Sequence, residues 1–256
     1  MPPTSIVLLT DFGTRDGYAG VMKGVIRGIA PGADIIDLSH EIGPQDLHAA
    51  RFVLWNSYRY FPAGSIFVCV VDPGVGTARP IVALRTAQHV FLAPDNGLLD
   101  YVLTETPAQL MLRVENPRVI RHEQSNTFHG RDIFAPAAAH LAAGFPFTQL
   151  GPIHGYRLPE PVFGEVPGTG AFTARVIHTD YYGNLITHLR VAPGWRGWVE
   201  AGGHRISCLH TYAEAGPGTL LALRGSHGLL EVALRDGSAA QHLGMGYGGV
   251  FSGGNG

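Results

Sequence analysis

Three aspartates each follow a short apolar run and sit in a glycine-bearing turn: Asp11 in Thr10-Asp11-Phe12-Gly13, Asp72 in Asp72-Pro73-Gly74-Val75-Gly76-Thr77, and Asp95 in Pro94-Asp95-Asn96-Gly97. In open α/β sheets ligands bind outside the carboxyl ends of the strands, where these carboxylates stand, and glycine lets the backbone approach a ligand closely. Each aspartate alone also fits an ordinary Asx turn; three at one sheet edge point to a site. Arg79 lies beyond a glycine-rich loop that can fold back on Asp72 and hold its carboxylate ionised. His129, in Thr127-Phe128-His129-Gly130-Arg131-Asp132, opens an alanine-rich helical segment. The positive end of a helix dipole lowers an imidazole's pKa, and the neutral ring can accept a proton.

Further along, Asp180-Tyr181-Tyr182-Gly183-Asn184 reads equally as a hairpin turn and as a set of carboxylate, aromatic and amide groups suited to an ammonium and an adenine. Ser226-His227-Gly228 carries the same two readings. Metal chemistry has no support: there is no His-Glu-x-x-His, His40-Glu41 lacks a following histidine at the right distance, and Cys69 and Cys208 stand alone as buried thiols. The paired glycines complete neither a dinucleotide fingerprint nor a P-loop. No metal and no bound cofactor is expected.

The elements that must position these groups follow from periodicity. Strands are expected at Ile6–Leu9, Asp34–Leu38, Ser65–Val71, Ile81–Arg85 and His89–Ala93, interleaved with helical patterns. One helix is capped by Asp16 and ends at Pro31-Gly32; a second runs from Asp46 to Tyr60; a short one begins near Asn96; and residues 131–143 form the alanine-rich helix. This alternation predicts an α/β domain with a largely parallel sheet over residues 1–155, where ligands bind outside the carboxyl ends of the strands. A proline- and glycine-dense stretch over 156–170 reads as a linker. Short strands at 172–177, 185–189, 198–200, 205–209, 219–223 and 229–234 predict a smaller all-β domain over 171–243. The glycine-rich residues 244–256 read as a mobile tail.

At 256 residues, 45% hydrophobic and 15% charged, the chain can bury a sizeable core. A net charge of -2 leaves no basic field for nucleic acid or an anionic membrane. No apolar run approaches a membrane span and no basic leader precedes the first strand, so a soluble cytoplasmic protein is expected. Lys23 is the one lysine beside seventeen arginines.

On these residues the chain resembles the S-adenosyl-L-methionine (SAM) hydroxide adenosyltransferases, relatives of the fluorinases and chlorinases. The motifs that carry the resemblance occur in order: Thr10 to Gly13 with Asp16-Gly17-Tyr18 and Met22-Lys23-Gly24-Val25; Asp72 to Gly76 with Arg79; Ala93-Pro94-Asp95-Asn96-Gly97-Leu98-Leu99; Phe128 to Asp132; and Asp180 to Asn184 with Gly237-Ser238-Ala239. The resemblance implies a homotrimer or a pair of trimers, with SAM between the first domain of one subunit and the β domain of its neighbour. It implies that Asp11 holds the ribose hydroxyls and that Asp72, Arg79 and His129 activate water, giving adenosine and methionine. Asp95, Asn96, Tyr182 and Ser226 join the expected substrate contacts, with Asp180 matched to the methionine ammonium and Asn184 to adenine.

Fluorinase-like members carry tyrosines where Asp72 and His129 stand, and an inserted loop that is absent here between Arg85 and His89. Both differences favour hydroxide over halide as nucleophile. At the methionine end the chain departs from the family: Gly225-Ser226-His227-Gly228 replaces an Asn-Ser-x-Gly turn, and Leu234 stands where an arginine is expected, leaving Arg235 and His227 as its two possible substitutes. The competing readings are a SAM-dependent halogenase, a SAM or adenosine sensor without turnover, and a metal-assisted hydrolase.

Overall fold

A computed structural model describes residues 4–255; the expected domain ends at Met1 to Pro3 and at Gly256 lie outside the described residues. The chain divides into two compact units, Met1–Glu160 and Pro161–Gly256.

Among its described residues the first unit has six strands: β1 Ser5–Thr10, β2 Asp34–Ser39, β3 Ile66–Val70, β4 Ile81–Arg85, β5 Val90–Pro94 and β6 Leu110–Arg113. Their order in the sheet is β2-β1-β3-β5-β4-β6. β2, β1, β3 and β5 run parallel, whereas β4 is antiparallel to both β5 and β6. The sheet is therefore mixed, and the largely parallel sheet expected from alternation is corrected on that side. The reason is local: only a tight turn separates Arg85 from Val90, too short for the crossover that parallel neighbours need.

Among the described residues four α-helices accompany the sheet: α1 Tyr18–Ile29, α2 Leu47–Ser57, α3 Asp100–Glu105 and α4 Ala135–Ala142. Successive strand residues face opposite sides. Ile6, Leu8, Ile66, Val68 and Val70 join Met22 and Ile26 of α1 and the alanines of α4 in one core. On β3 and β5, Phe67 and Phe91 stack at 5.1 Å, and Tyr58 meets Phe91 edge-on. Asp46 caps α2, its carboxylate accepting the Ala49 N–H at 2.9 Å. Asp16 does not cap α1: the N-cap is Gly17, with no side-chain bond.

In the second unit, β7 Gly164–Glu165, β8 Ala171–Thr179, β9 Leu185–Arg190, β10 Gly197–Ala201, β11 His204–Ser207, β12 Leu220–Arg224, β13 Leu229–Leu234 and β14 Val250–Asn255 form one sheet, with a short helix, α5 Ala239–Leu243. The path is β11-β10-β14-β8-β9-β13-β12, with β7 beside β9. A bridge from Cys208 to Ala222 and the bond from Leu209 N–H to the Ala222 carbonyl join the two ends, so the sheet nearly closes on itself. Phe172, Val176, Leu185, Val199, Ile206, Leu230, Val232 and Phe251 fill its core.

The glycine-rich tail is a correction. Val250–Asn255 is an interior strand, paired with β10 on one side and β8 on the other. Its glycines are space rather than slack: a Cβ at Gly253 would run into the Phe172 ring, and one at Gly254 would lie 3.0 Å from Trp198. Among the described residues no helix is long and apolar enough to cross a membrane.

Candidate active site

Because β1 and β3 are parallel neighbours, the residues that follow them emerge at the same edge of the sheet. Asp11 leaves β1 there and Asp72 leaves β3. The loop after Asp72 folds back as a tight turn, Val75 N–H donating to the Asp72 carbonyl at 3.2 Å and Thr77 N–H to the Gly74 carbonyl at 3.1 Å. Gly76, at φ 79°, packs against the loop that leads to His129. A Cβ there would sit 2.5 Å from the Asn126 carbonyl oxygen, so only glycine lets the two loops meet.

The loops bring Asp72, Arg79 and His129 together. Arg79 Nε donates to Asp72 Oδ1 at 2.7 Å, and Nη2 donates to Asp72 Oδ2. The same Nη2 lies 2.9 Å from His129 Nδ1. The Asp72 and Arg79 side chains are only 5% and 10% exposed, so the pair is held in a low-dielectric setting where a bidentate ion pair keeps its geometry.

His129 stands at the head of a π-helical turn, Gly130–Phe134, that runs into α4. Asp132 in that turn is fully buried and pins the region, accepting Arg131 in two bonds of 2.7 and 2.8 Å and the Ser125 N–H at 2.8 Å, with Arg121 as an ion-pair partner at 3.2 Å. Burial first, and then the Arg79 charge, hold the His129 imidazole below the ordinary histidine value against the opposing pull of Asp72 and Asp132. A guanidinium can only donate, so Nδ1 of His129 is an acceptor and the neutral ring carries its hydrogen on Nε2. This refines the role read from sequence: His129 presents a donor rather than a vacant proton acceptor.

A cavity of about 130 Å³ opens beside these groups, lined by Asp11, Asp72 and His129 with Phe12, Gln45 and Phe128 among its other walls. Asp11 Oδ2 accepts the Gln45 N–H at 2.8 Å, which orients the carboxylate. Gln45 holds a left-handed backbone, φ 63°, just ahead of α2. Sequence reasoning misses Gln45 because its contribution is a backbone N–H. Phe12, Tyr18 and Phe128 pack tilted and edge-on at 5.2 to 5.8 Å beside the cavity. Their residue types alone carry no such signal.

Two expected contacts lie elsewhere. Asp95 accepts His154 Nε2 at 2.9 Å and lines a separate cavity of about 270 Å³ with Asp100 and Tyr156. Asn96 braces the end of β3, its Nδ2 donating to the Val71 carbonyl at 3.0 Å while Oδ1 accepts the Leu98 N–H. Their shared strand end is real, but their side chains serve other partners.

In the second unit, Asp180 accepts three bonds within its own turn: the N–H groups of Tyr182 and Asn184 at 3.0 and 2.9 Å, and Asn184 Nδ2 at 2.9 Å. Asn184 is buried, Tyr181 and Tyr182 are 98% and 73% exposed, and Ser226 is exposed. Both possible substitutes for the missing arginine are engaged. Arg235 donates to the carbonyls of Ala213 and Ala215. His227 accepts the Leu229 N–H at 3.1 Å and lies 3.4 Å from the buried Glu231 carboxylate. Among the described residues no group of three or more His, Cys, Asp or Glu side chains is arranged to hold a metal.

Fold and site together define a two-domain α/β protein with a carboxylate, a guanidinium and an imidazole gathered at the strand ends of its first unit. Residues 6–151 match the SAM hydroxide adenosyltransferase N-terminal domain and residues 174–251 its C-terminal domain, and the chain belongs to this family. It is 40% identical over 249 residues to the (R)-S-adenosyl-L-methionine hydrolase of Thermus thermophilus, covering 94% of this chain and 95% of that one. A fluorinase from an Actinoplanes species is 31% identical over 72% of this chain and 71% of its own. A crystal structure of an uncharacterized conserved protein from Thermotoga maritima superposes with a TM-score of 0.89 at 33% identity, covering 98% of this chain and all of that one.

Proposed function

We propose that the protein hydrolyses SAM to adenosine and L-methionine by attack of water on C5′. The observation that carries the reading is the single Arg79 guanidinium joined to both Asp72 and His129, in a cavity that Asp11 also lines. Asp11 holds the ribose hydroxyls, which sets C5′ toward the Asp72 end. Water bonded to Asp72 and to His129 Nε2–H lies in line with the C5′–S bond. As the O–C5′ bond forms, the C5′–S electron pair returns to sulfur and methionine leaves as a neutral thioether.

The leaving group starts as a sulfonium cation, so it requires no acid. The attacking water becomes strongly acidic only as its bond to carbon forms, and an arginine-paired carboxylate is then basic enough to take the proton. General-base assistance of this kind is worth ~10²- to 10⁴-fold, the rest coming from alignment and exclusion of bulk water. Arg79 supplies the alignment, because one planar group fixes both partners.

The β domain's Asp180 takes the methionine ammonium, with Asn184, Tyr182 and Ser226 toward the adenosyl and amino-acid ends. A neighbouring subunit of a homotrimer supplies them. No metal or bound cofactor takes part, so activity persists in the presence of a chelator. Incubation with SAM in halide-free buffer made with ¹⁸O-labelled water tests the reaction: the label enters the adenosine 5′ oxygen. Label in another product, release of adenine, or a 5′-halonucleoside formed on adding chloride or fluoride would overturn it, and tight SAM binding with no methionine released would identify a sensor.

A further inference from the structure

Beside Asp11 runs a polar chain, buried at Thr10 and His40 and open to solvent at Asp37 and Lys23, that the hydrolytic step leaves unused. Thr10, the last residue of β1, places its Oγ1 2.8 Å from His40 Nδ1; His40 Nε2 lies 3.0 Å from Asp37 Oδ1; and Lys23 Nζ, from α1, reaches Asp37 Oδ2 at 2.6 Å. Hydroxyl, imidazole and carboxylate in this order form the arrangement of a nucleophile triad. Thr10 is 0% exposed, so no substrate can meet its hydroxyl and the triad cannot be a second catalytic centre.

The bond directions show what it does instead. A carboxylate only accepts, so His40 Nε2 donates to Asp37, and Nδ1 on the other side of the ring faces the Thr10 hydroxyl. The threonine oxygen is then oriented to accept the Phe12 N–H at 3.3 Å, and the His40 carbonyl accepts the Gly13 N–H at 2.7 Å. Thr10, Phe12 and Gly13 surround Asp11 in the chain; Thr10 and Gly13 are bonded to His40 directly, and Phe12 is linked to it through Thr10. Burial alone would push the Asp37 carboxyl up, yet the bonds from Lys23 and His40 bring it below its ordinary value and keep it ionised.

We propose that Lys23, Asp37 and His40 act through Thr10 as positioning residues that fix the Thr10–Gly13 turn and thereby aim the Asp11 carboxylate at the ribose hydroxyls. The inference rests on the ribose role of Asp11 given above. It also gives the one lysine among seventeen arginines a reason to be there. An ammonium takes Oδ2 alone and leaves Oδ1 for His40, whereas an arginine fork favours both oxygens of a carboxylate and would compete with the imidazole.

The test compares Thr10→Val, Thr10→Ser, Lys23→Met and Asp11→Asn by adenosine calorimetry, SAM kinetics and thermal melting. Thr10→Val is expected to raise the adenosine Kd and the SAM KM about tenfold, the size of one lost hydrogen bond, while kcat stays within about threefold. Thr10→Ser, which keeps the oxygen, restores the affinity. Lys23→Met weakens binding about threefold with little change in melting temperature, and adds nothing on top of Thr10→Val because both act along one path. Unchanged affinity in both Thr10→Val and Lys23→Met, with Asp11→Asn weakened, overturns the relay and leaves the ribose reading standing. Thr10→Ser as damaged as Thr10→Val overturns it in favour of packing. Asp11→Asn with unchanged adenosine affinity removes the ribose reading, and the relay's purpose with it. Should Thr10→Val not fold, the half-exposed Lys23→Met decides the question alone.

Discussion

The strand ends of the first unit and the turns of the second use similar residues in opposite ways. Asp72 and Arg79 come from a loop folded back on itself and are nearly buried, and Arg79 bonds His129 as well as Asp72. Asp180 and Asn184 also bond each other, but within one short turn whose tyrosines face solvent. The first arrangement holds partners distant in the chain together at the wall of a cavity; the second mostly satisfies itself. Under the proposed hydrolysis, the groups that meet reacting atoms are set by sheet edges and a buried ion pair. Groups that make broader contacts can ride on turns.

The sharpest way to break this contrast is Asp72→Asn. Turnover, followed as adenosine released on a chromatographic column, is expected to fall ~10²- to 10⁴-fold while adenosine affinity stays within about threefold. Undiminished turnover would show that the strand-end cluster is not where the chemistry happens.

Asp180→Asn probes the other region. Loss of a charged acceptor in the turn is expected to cost about 1–2 kcal/mol of stability, and the SAM KM is expected to rise about tenfold if the carboxylate also meets the substrate. A lower melting temperature with an unchanged KM would make the turn purely architectural.

A smaller effect concerns pH. His48, His89, His129, His140 and His188 are each held below the ordinary histidine value, burial being the first cause in every case. As pH falls below about 6.5 the unfolded chain takes up protons that the folded chain refuses, so stability present above that value is progressively lost. Calorimetric melting at about pH 7.5 and about pH 5.5 should show the lower midpoint in acid. The same shift keeps His129 neutral into mildly acidic solution.

The smallest change expected is a gain. Among the described residues neither ring nitrogen of buried His89 has a hydrogen-bond partner, and the ring meets Tyr58, Phe67 and Phe91 edge-on at 5.4 to 6.2 Å. His89→Phe removes a desolvated N–H from an aromatic box and should raise stability by about 1 kcal/mol without altering kinetics, as read by denaturant unfolding.

Much of the first unit is legible in the sequence because its signals are local. The run Ile66 to Val70 is apolar on both faces, as a central strand must be, and the glycine turns after β1 and β3 mark the edge where ligands bind. The union of Asp72, Arg79 and His129 follows from the family resemblance and the folded-back loop. What escapes depends on contacts between distant segments. Asp95 and Asn96 share the motif style of Asp11 and Asp72, yet side-chain direction decides their partners, and spacing does not encode it. Gln45 contributes a backbone N–H, which every residue type but proline possesses. The direction of β4 follows from a short turn that alternation alone does not weigh, and β14 is hidden because its glycines are defined by the rings of Phe172 and Trp198 that occupy their space.

That last strand has a consequence for biosynthesis. Val250–Asn255 lies between β8 and β10, two elements translated well before it. Until Asn255 has cleared the ribosome, the nascent second unit has a gap at the middle of its sheet, with two open edges and an unfilled core. The described strands of the first unit's sheet all lie within Ser5–Arg113, so its pairing can be completed while its companion is still being made.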